Sequence, residues 1–289
     1  MKIVINYLNL LHGRFFYAAS LSSPHMQQTN CLNCGDELPE GKNFCASCGQ
    51  KTETHRLTLH EILHEALHAI THADKGFFYL VKELAIRPGA VAREYIEGRR
   101  KRYFNPYSFL VIVTGVLVLV SSNLRIFGYS SSEQPKLNIT KGSPQEIEAK
   151  KAFLKRTAQF TDFVNNHSNI VLFISTPFLA FMFWLMYKKK KLFYAEHLTA
   201  MVFFNSFLMI ATALIFAPLI YITRNQHMYG TWLSLMLLTH VLYFAYAYKQ
   251  LFNYRGISGY LKTLGVAFLG ALCWAIFTVA IGMFYIFGG

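Results

Sequence analysis

"TAMVFFNSFLMIATALIFAPLIYI", residues 199–222, runs for 24 residues without a charged side chain. A helix rises 1.5 Å per residue, so about 20 such residues cross the ~30 Å hydrocarbon core of a bilayer. A helix that is apolar all round has no face to offer water, and this stretch therefore predicts a membrane span. Four further runs accompany it, at about 106–124, 168–187, 231–248 and 264–287. Residues 105–289 are expected to form an all-α transmembrane domain, a helical bundle of about five spans.

Composition agrees. Of 289 residues, 53% are hydrophobic and only 15% charged, where a soluble domain carries about a quarter charged. The net charge is +13, and in a membrane protein a basic excess marks the short loops kept in the cytoplasm. Arg99-Arg100-Lys101-Arg102 precede the first run, Lys188–Lys191 follow the second, and Lys249, Arg255 and Lys262 separate the fourth from the fifth. The short 223–230 loop has only Arg224. One orientation puts all three basic sets on the same side, with the N-terminus cytoplasmic and the C-terminus outside.

The long segment 125–167 is then extracytoplasmic; it is also basic, but long loops are weak orientation signals. Within it "SPQEIEAKKAFLKRTAQFTDFV", residues 143–164, reads as one soluble or interfacial helix. The quartet Arg99, Arg100, Lys101 and Arg102 also suits anionic lipid head groups, at about 1 kcal/mol per charge. No nucleic-acid partner is expected, because interleaved aromatics and a docking element are missing around these charges.

Four of the five cysteines fall in "CLNCGDELPEGKNFCASCGQK", residues 31–51. Cys31-x2-Cys34 and Cys45-x2-Cys48 can bring four thiolates around one Zn2+, with Gly35 and Gly49 allowing a tight turn after each pair and freeing amides to face sulfur. A module this small buries no core, so the metal would supply its folding energy. Closed four-cysteine coordination makes the zinc structural. The competing reading, two redox pairs, lacks the strand–helix context such motifs need. Residues 31–50 are thus a zinc ribbon, and it could hold an unidentified protein partner.

"HEILHEALH", residues 60–68, fits the H-E-x-x-H zinc signature twice. His60, His64, His68 and His72 drift by ~40° per step around a helix, a slanting stripe opposite Leu59, Ile62, Leu63, Leu67 and Ile70. Thr58 and Glu61 form a capping box at its start, and Gly76 is a natural stop. Histidines at i and i+4 can share a metal with a Glu activating water, and Glu83 could complete a second metal site with His60, His64 and His68. The blander reading is an amphipathic helix lying at the membrane surface. Further helical stretches are expected at Phe77–Ile86 and Ala90–Glu97, so that residues 51–104 form cytoplasmic, interfacial helices.

Glu196-His197 at the mouth of the third span, Asn205 inside it, His240 inside the fourth and Thr176-Pro177 in the second are the polar candidates for a solute path, since intramembrane polar groups are costly. Asn, Thr and neutral His also serve as plain interhelical hydrogen-bond partners. Residues 1–30 suit none of this. Their apolar stretch is broken by Asn6, Asn9, His12 and Arg14, a poor signal peptide, and Met26 is the expected natural start. An intact mass that included residues 1–25 would refute it.

The run Arg87-Pro88-Gly89, then "EYIEGRRKRYFNP" at 94–106, behind the four-cysteine ribbon, resembles an uncharacterised family of bacterial multi-pass membrane proteins, a domain of unknown function. That resemblance implies the bacterial inner membrane and carries no catalytic residues. The favoured role is non-enzymatic: the ribbon and helices dock a partner or sense the bilayer, while the spans anchor the chain or pass a small solute. The alternative is a metal-dependent membrane hydrolase built on HEILHEALH. A transporter, the third reading, needs a cavity near Asn205 and His240.

Overall fold

The structure, a computed structural model, describes residues 29–38, 41–52, 57–59, 76–124, 143–166, 168–223 and 228–287. The expected start at Met26, the histidine stripe with Glu61 of its capping box, the 125–142 part of the long loop and Arg224 lie outside these residues. Among the described residues the chain is helical, with two isolated bridges in the ribbon and no extended strand.

Helix α1, Gly76–Ile86, buries Leu80 and Leu84 along one face. It stops because Pro88 disfavours helical geometry at the residue before it, and Arg87 adopts φ −139° and ψ 57°. Pro88 then opens α2, Pro88–Ile96, where its missing N–H costs nothing. Pro88, Gly89, Val91, Ala92 and Tyr95 are buried on α2. Gly98, at φ +107°, ends it, and the Arg99 amide closes back onto the Glu94 carbonyl at 2.9 Å.

The first long helix, α3, is Pro106–Leu124. Asn105 caps it, its Oδ1 accepting the Tyr107 amide at 2.9 Å and the Ser108 amide at 3.3 Å. Helix α4, Pro144–Asn166, is the single helix expected in residues 143–164. It begins with a capping box: Ser143 Oγ accepts the Glu146 amide, and the Glu146 carboxylate accepts the Ser143 amide at 2.9 Å. Helix α5, Ser168–Met186, contains Pro177.

Helix α6, Tyr194–Ala211, leads through a π-helical segment, Thr212–Phe216, into α7, Ala217–Ile222. Pro218 is the cause: it has no amide for the Leu214 carbonyl, and the ladder slips to i→i+5, with the Ala217 amide donating to the Thr212 carbonyl. Helices α8, Tyr229–Leu251, and α9, Gly256–Phe287, complete the bundle.

Among the described residues four helices are long and apolar enough to cross a membrane: Pro106–Leu124, Tyr194–Ile222, Gly230–Leu251 and Gly256–Phe284. The expected span at 168–187 coincides with α5, which at 19 residues is as long as Pro106–Leu124 and whose Phe173–Met186 part is apolar. Two spans begin earlier than hydropathy suggests. The third starts at Tyr194, because Glu196 in its first turn accepts the Phe193 amide at 2.8 Å and so belongs to the helix. The fifth starts at Gly256, so Lys262 lies on α9. At 1.5 Å per residue α9 is roughly 48 Å long, more than the hydrocarbon needs.

The core lies around α6. Met201, Phe203, Phe204 and Leu208 on α6 meet Phe183 and Trp184 of α5 and Tyr248 of α8. In the 18-residue apolar window of Tyr194–Ile222, 72% of residues are buried, and in that of α9 only 11%, so α6 is the axis of the bundle and α9 its outer wall.

Candidate functional site

Three constellations carry chemistry. The first is the cysteine cluster. The ligand atoms of Cys31, Cys34, Cys45 and Cys48 all lie within 4.8 Å of one another, with Cys31 to Cys48 and Cys34 to Cys45 at 3.6 Å. Metal–sulfur bonds of about 2.3 Å in a tetrahedron require sulfurs roughly 3.8 Å apart, so the four thiols fit a bound metal ion. The two halves are built alike. Gly35 at φ +85° and Gly49 at φ +70° turn the chain. Their amides donate to the Cys31 and Cys45 carbonyls at 2.8 and 2.9 Å. The turns free the next amide in each half to face sulfur, as expected: the Asp36 backbone bonds to Cys34 and the Gln50 backbone to Cys48.

Crowding sets the thiol acidities. Desolvation pushes Cys48 up, but hydrogen bonds from the Asn33 side chain and the Gln50 backbone outweigh it and bring the group down to about 7. At Cys34 the Asp36 backbone pulls down, while desolvation and the three neighbouring sulfurs push it up to about 12. Four sulfurs this close cannot all ionise unless a cation sits among them.

The second constellation is an ion-pair network on the ribbon side of the bundle. Arg87 pairs with Glu83 one turn back, and its Nη1 donates to Glu94 Oε1 at 2.6 Å. Arg87 Nη2 donates to the Tyr103 hydroxyl at 3.0 Å, and that hydroxyl donates to Glu94 Oε2 at 2.7 Å. Arg102 lies 3.6 Å from Glu94, and its Nε donates to the Tyr79 hydroxyl at 3.0 Å.

Burial opposes the charge on Glu94. Hydrogen bonds from Tyr103 and Arg87, with the Arg87 and Arg102 charges, overcome that and hold it below the ordinary carboxylate value. Burial and the neighbouring Glu94 carboxylate raise Tyr103 above the ordinary phenol value. Desolvation works against Arg87 too, but Glu94 and Glu83 keep it firmly protonated.

This network accounts for Glu83, the acid proposed as a histidine-site ligand. Its carboxylate is engaged by Arg87, and His60, His64 and His68 lie outside the described residues. Among the described residues the four cysteines form the one cluster suited to a metal. The basic quartet is divided. Arg102 packs over Tyr79 and Tyr103, Arg100 stacks on Tyr95 at 6.0 Å, Arg99 reaches Glu94 at 4.0 Å, and the Lys101 amide donates to Gln50 Oε1 at 2.9 Å.

That last bond fastens the ribbon to the rest of the chain, and α2 fastens the network to α8. The Gly89 amide donates to Gln50's counterpart on the bundle, Gln250 Oε1, at 3.1 Å. Arg93 donates to the Gln250 carbonyl at 3.0 Å and to Asn253, meeting the negative end of α8. In return, the hydroxyls of Tyr243 and Tyr246 donate to the Leu84 and Ile86 carbonyls at the end of α1, each at 3.0 Å. The sequence held one signal of this: an Arg at 87 spaced four from Glu83 and seven from Glu94. The tyrosine partners depend on tertiary contact and were not legible.

The third constellation is inside the bundle. Asn205 and His240 line a common cavity of about 140 Å³ together with Ser175 and Thr212. Asn205 Nδ2 donates to Thr176 Oγ1 at 2.7 Å. Glu196 and His197 do not reach it. Glu196 caps α6, and His197 is fully buried, stacked on Tyr187 and Tyr248 with its Nδ1 3.4 Å from the Tyr248 hydroxyl.

The model of one protein family, described as "Protein of unknown function (DUF3667)", matches residues 74–118. That stretch covers α1, α2, the basic segment and most of α3, and therefore the whole ion-pair network. Neither a curated protein nor a solved structure matches the chain.

Proposed function

We propose that this chain is a non-enzymatic, multi-pass protein of the bacterial inner membrane, N-terminus cytoplasmic, in which a structural zinc ribbon is fixed to the bundle as a docking or sensing module. One observation carries the reading: an unbroken line of contacts from ribbon to bundle. Gln50 holds the backbone at Lys101. Tyr103 and Arg87 tie that segment to α2, and Gly89 and Arg93 seat α2 on the end of α8. Anything that binds or displaces the ribbon pulls on the bundle through this line.

The same groups argue against catalysis. Glu83, the acid expected to complete a second metal site, and Glu94 are both held by Arg87. A four-cysteine zinc site leaves no coordination position for a substrate. Arg99 and Lys101, exposed on the same side, remain suited to anionic head groups.

Elemental mass spectrometry of the detergent-purified chain tests the reading. The expected result is about one zinc per chain, lost when the four cysteines become Ser and kept in His64→Ala. About two, with the second lost in His64→Ala, would replace this reading with the hydrolase.

A further inference from the structure

The geometry points to a ligand site in the bundle cavity for a hydroxylated single aromatic ring, a phenol or hydroquinone head group, and this goes beyond the ribbon reading. The cavity is lined by residues of α3, α5, α6, α8 and α9, and its wall is mostly apolar. Its volume is about 140 Å³; an apolar cavity of about 150 Å³ holds one benzene. Phe183, Phe244 and Trp274 supply ring faces, and no charged residue lines it, so an ionic ligand has no counter-charge.

The polar groups select the hydroxyl. His240 Nδ1 lies 2.7 Å from the Met236 carbonyl, and a carbonyl only accepts, so the proton is on Nδ1 and Nε2 keeps its lone pair. Asn205 commits an N–H to Thr176, which leaves its Oδ1 as an acceptor. The wall also carries the second Asn205 N–H and the Ser175 and Thr212 hydroxyls. A ligand hydroxyl, which both donates and accepts, suits this set, whereas a ligand without a donor leaves the acceptors unmatched at membrane depth.

The backbone around the cavity is a second, independent observation. Thr212, in its wall, begins the π-helical segment. Ser175 and Leu179, also in its wall, flank Pro177 in the middle of α5. Interrupted helical ladders occur at membrane depth where the backbone lines a cavity, and π-segments are frequent at functional sites.

The test uses the full chain in lipid nanodiscs, with phenol, toluene, hydroquinone and decyl-hydroquinone as probes and empty nanodiscs as the blank. Phenol is expected to saturate about one site per chain and to bind at least tenfold tighter than toluene, which has the same shape and no donor. His240→Leu should remove that preference while toluene still binds. Ala271→Phe, which fills the cavity from α9, should abolish both.

Tighter binding of decyl-hydroquinone than of hydroquinone would assign the ligand to the membrane pool, and the reverse to a water-borne phenol; either upholds the site. If a variant fails to fold, the wild-type comparison still decides. Equal affinity for phenol and toluene, or no saturable binding, overturns the proposal.

Discussion

Helices α2 and α9 invert the usual relation between hydrophobicity and burial. The nine residues of α2 include Arg93 and Glu94, yet Pro88, Gly89, Val91, Ala92 and Tyr95 are buried. The 32 residues of α9 are strongly apolar, and only 11% of its 18-residue apolar window is buried. In water the arrangement would be unstable. In a bilayer the outside is as apolar as the inside, so α9 needs no protein neighbour on its outer face, while α2 is held by shape and hydrogen bonds. One part of the molecule is specified by fit and the other by solvent.

The largest effect should come where fit depends on a metal. Removing the ion with a chelator, or changing Cys31 to Ser, is expected to unfold residues 31–52 and leave the bundle's helicity intact. Structural zinc contributes on the order of 10 kcal/mol to modules of this size. Proteolysis confined to the ribbon with unchanged far-ultraviolet circular dichroism would show it; loss of bundle helicity as well would mean that ribbon and bundle fold as one unit.

Next is a pair of glycines. A Cβ on Gly89 would lie 2.1 Å from the Ala247 carbonyl oxygen and 2.3 Å from the Leu251 amide nitrogen, backbone that cannot give way. Gly89→Ala should therefore lift α2 from α8 at a cost of about 3 kcal/mol. Gly265, in α9, has nothing within 4 Å of the same position, and Gly265→Ala should be neutral or mildly stabilising, by up to about 1 kcal/mol. Thermal melts of the two variants measure the contrast directly. Equal effects would remove it.

The ion-pair network should follow. Arg87→Ala leaves Glu83 and Glu94 half-buried without their partner and is expected to cost about 2–3 kcal/mol, less than a fully buried pair. Arg87→Lys should recover only part, since one ammonium cannot serve both carboxylates and the Tyr103 hydroxyl.

The sign of the pH dependence is fixed by the same groups. Glu94 is depressed in the fold, so its contribution is present above its ordinary value of 4.5 and is lost as pH falls below it. Tyr103 is raised, so its contribution is present below its ordinary value of 10.0 and is lost as pH rises beyond it. Melting temperature against pH should show a plateau with two shoulders. Glu94→Gln should flatten the acid shoulder, and an unchanged acid shoulder would mean that other carboxylates produce it.

How much of this was legible in the sequence follows from what each feature depends on. The spans were legible because hydropathy is a sum over local residues, and the ribbon because ligand spacing is local too. Asn105-Pro106 and Ser143-Pro144 marked helix starts, since a cap and its first turn lie within four residues. Span starts were misjudged where a polar residue serves the helix itself: Glu196 looked like a pathway residue and is a cap. The seating of α2 on α8 was not legible, because Gly89 meets Gln250 across 161 positions. Asn205 and His240 were chosen for being polar in apolar runs; that they share a cavity depends on how five helices pack.

The smallest expected effect is on the outer wall. Ile276 is 61% exposed on α9 and Leu80 on α1 is fully buried, so truncation to Ala should separate the two forces cleanly. Leu80→Ala opens a cavity in packed protein and should cost about 2–5 kcal/mol. At Ile276 acyl chains can fill the space left by the missing carbons, and the cost should stay below about 0.5 kcal/mol, since helix propensity slightly favours Ala there. A cost near 2 kcal/mol at Ile276, measured in the same nanodiscs, would mean that the wall packs on protein. A second copy of the chain would then be the first partner to look for, by cross-linking through a cysteine at that position.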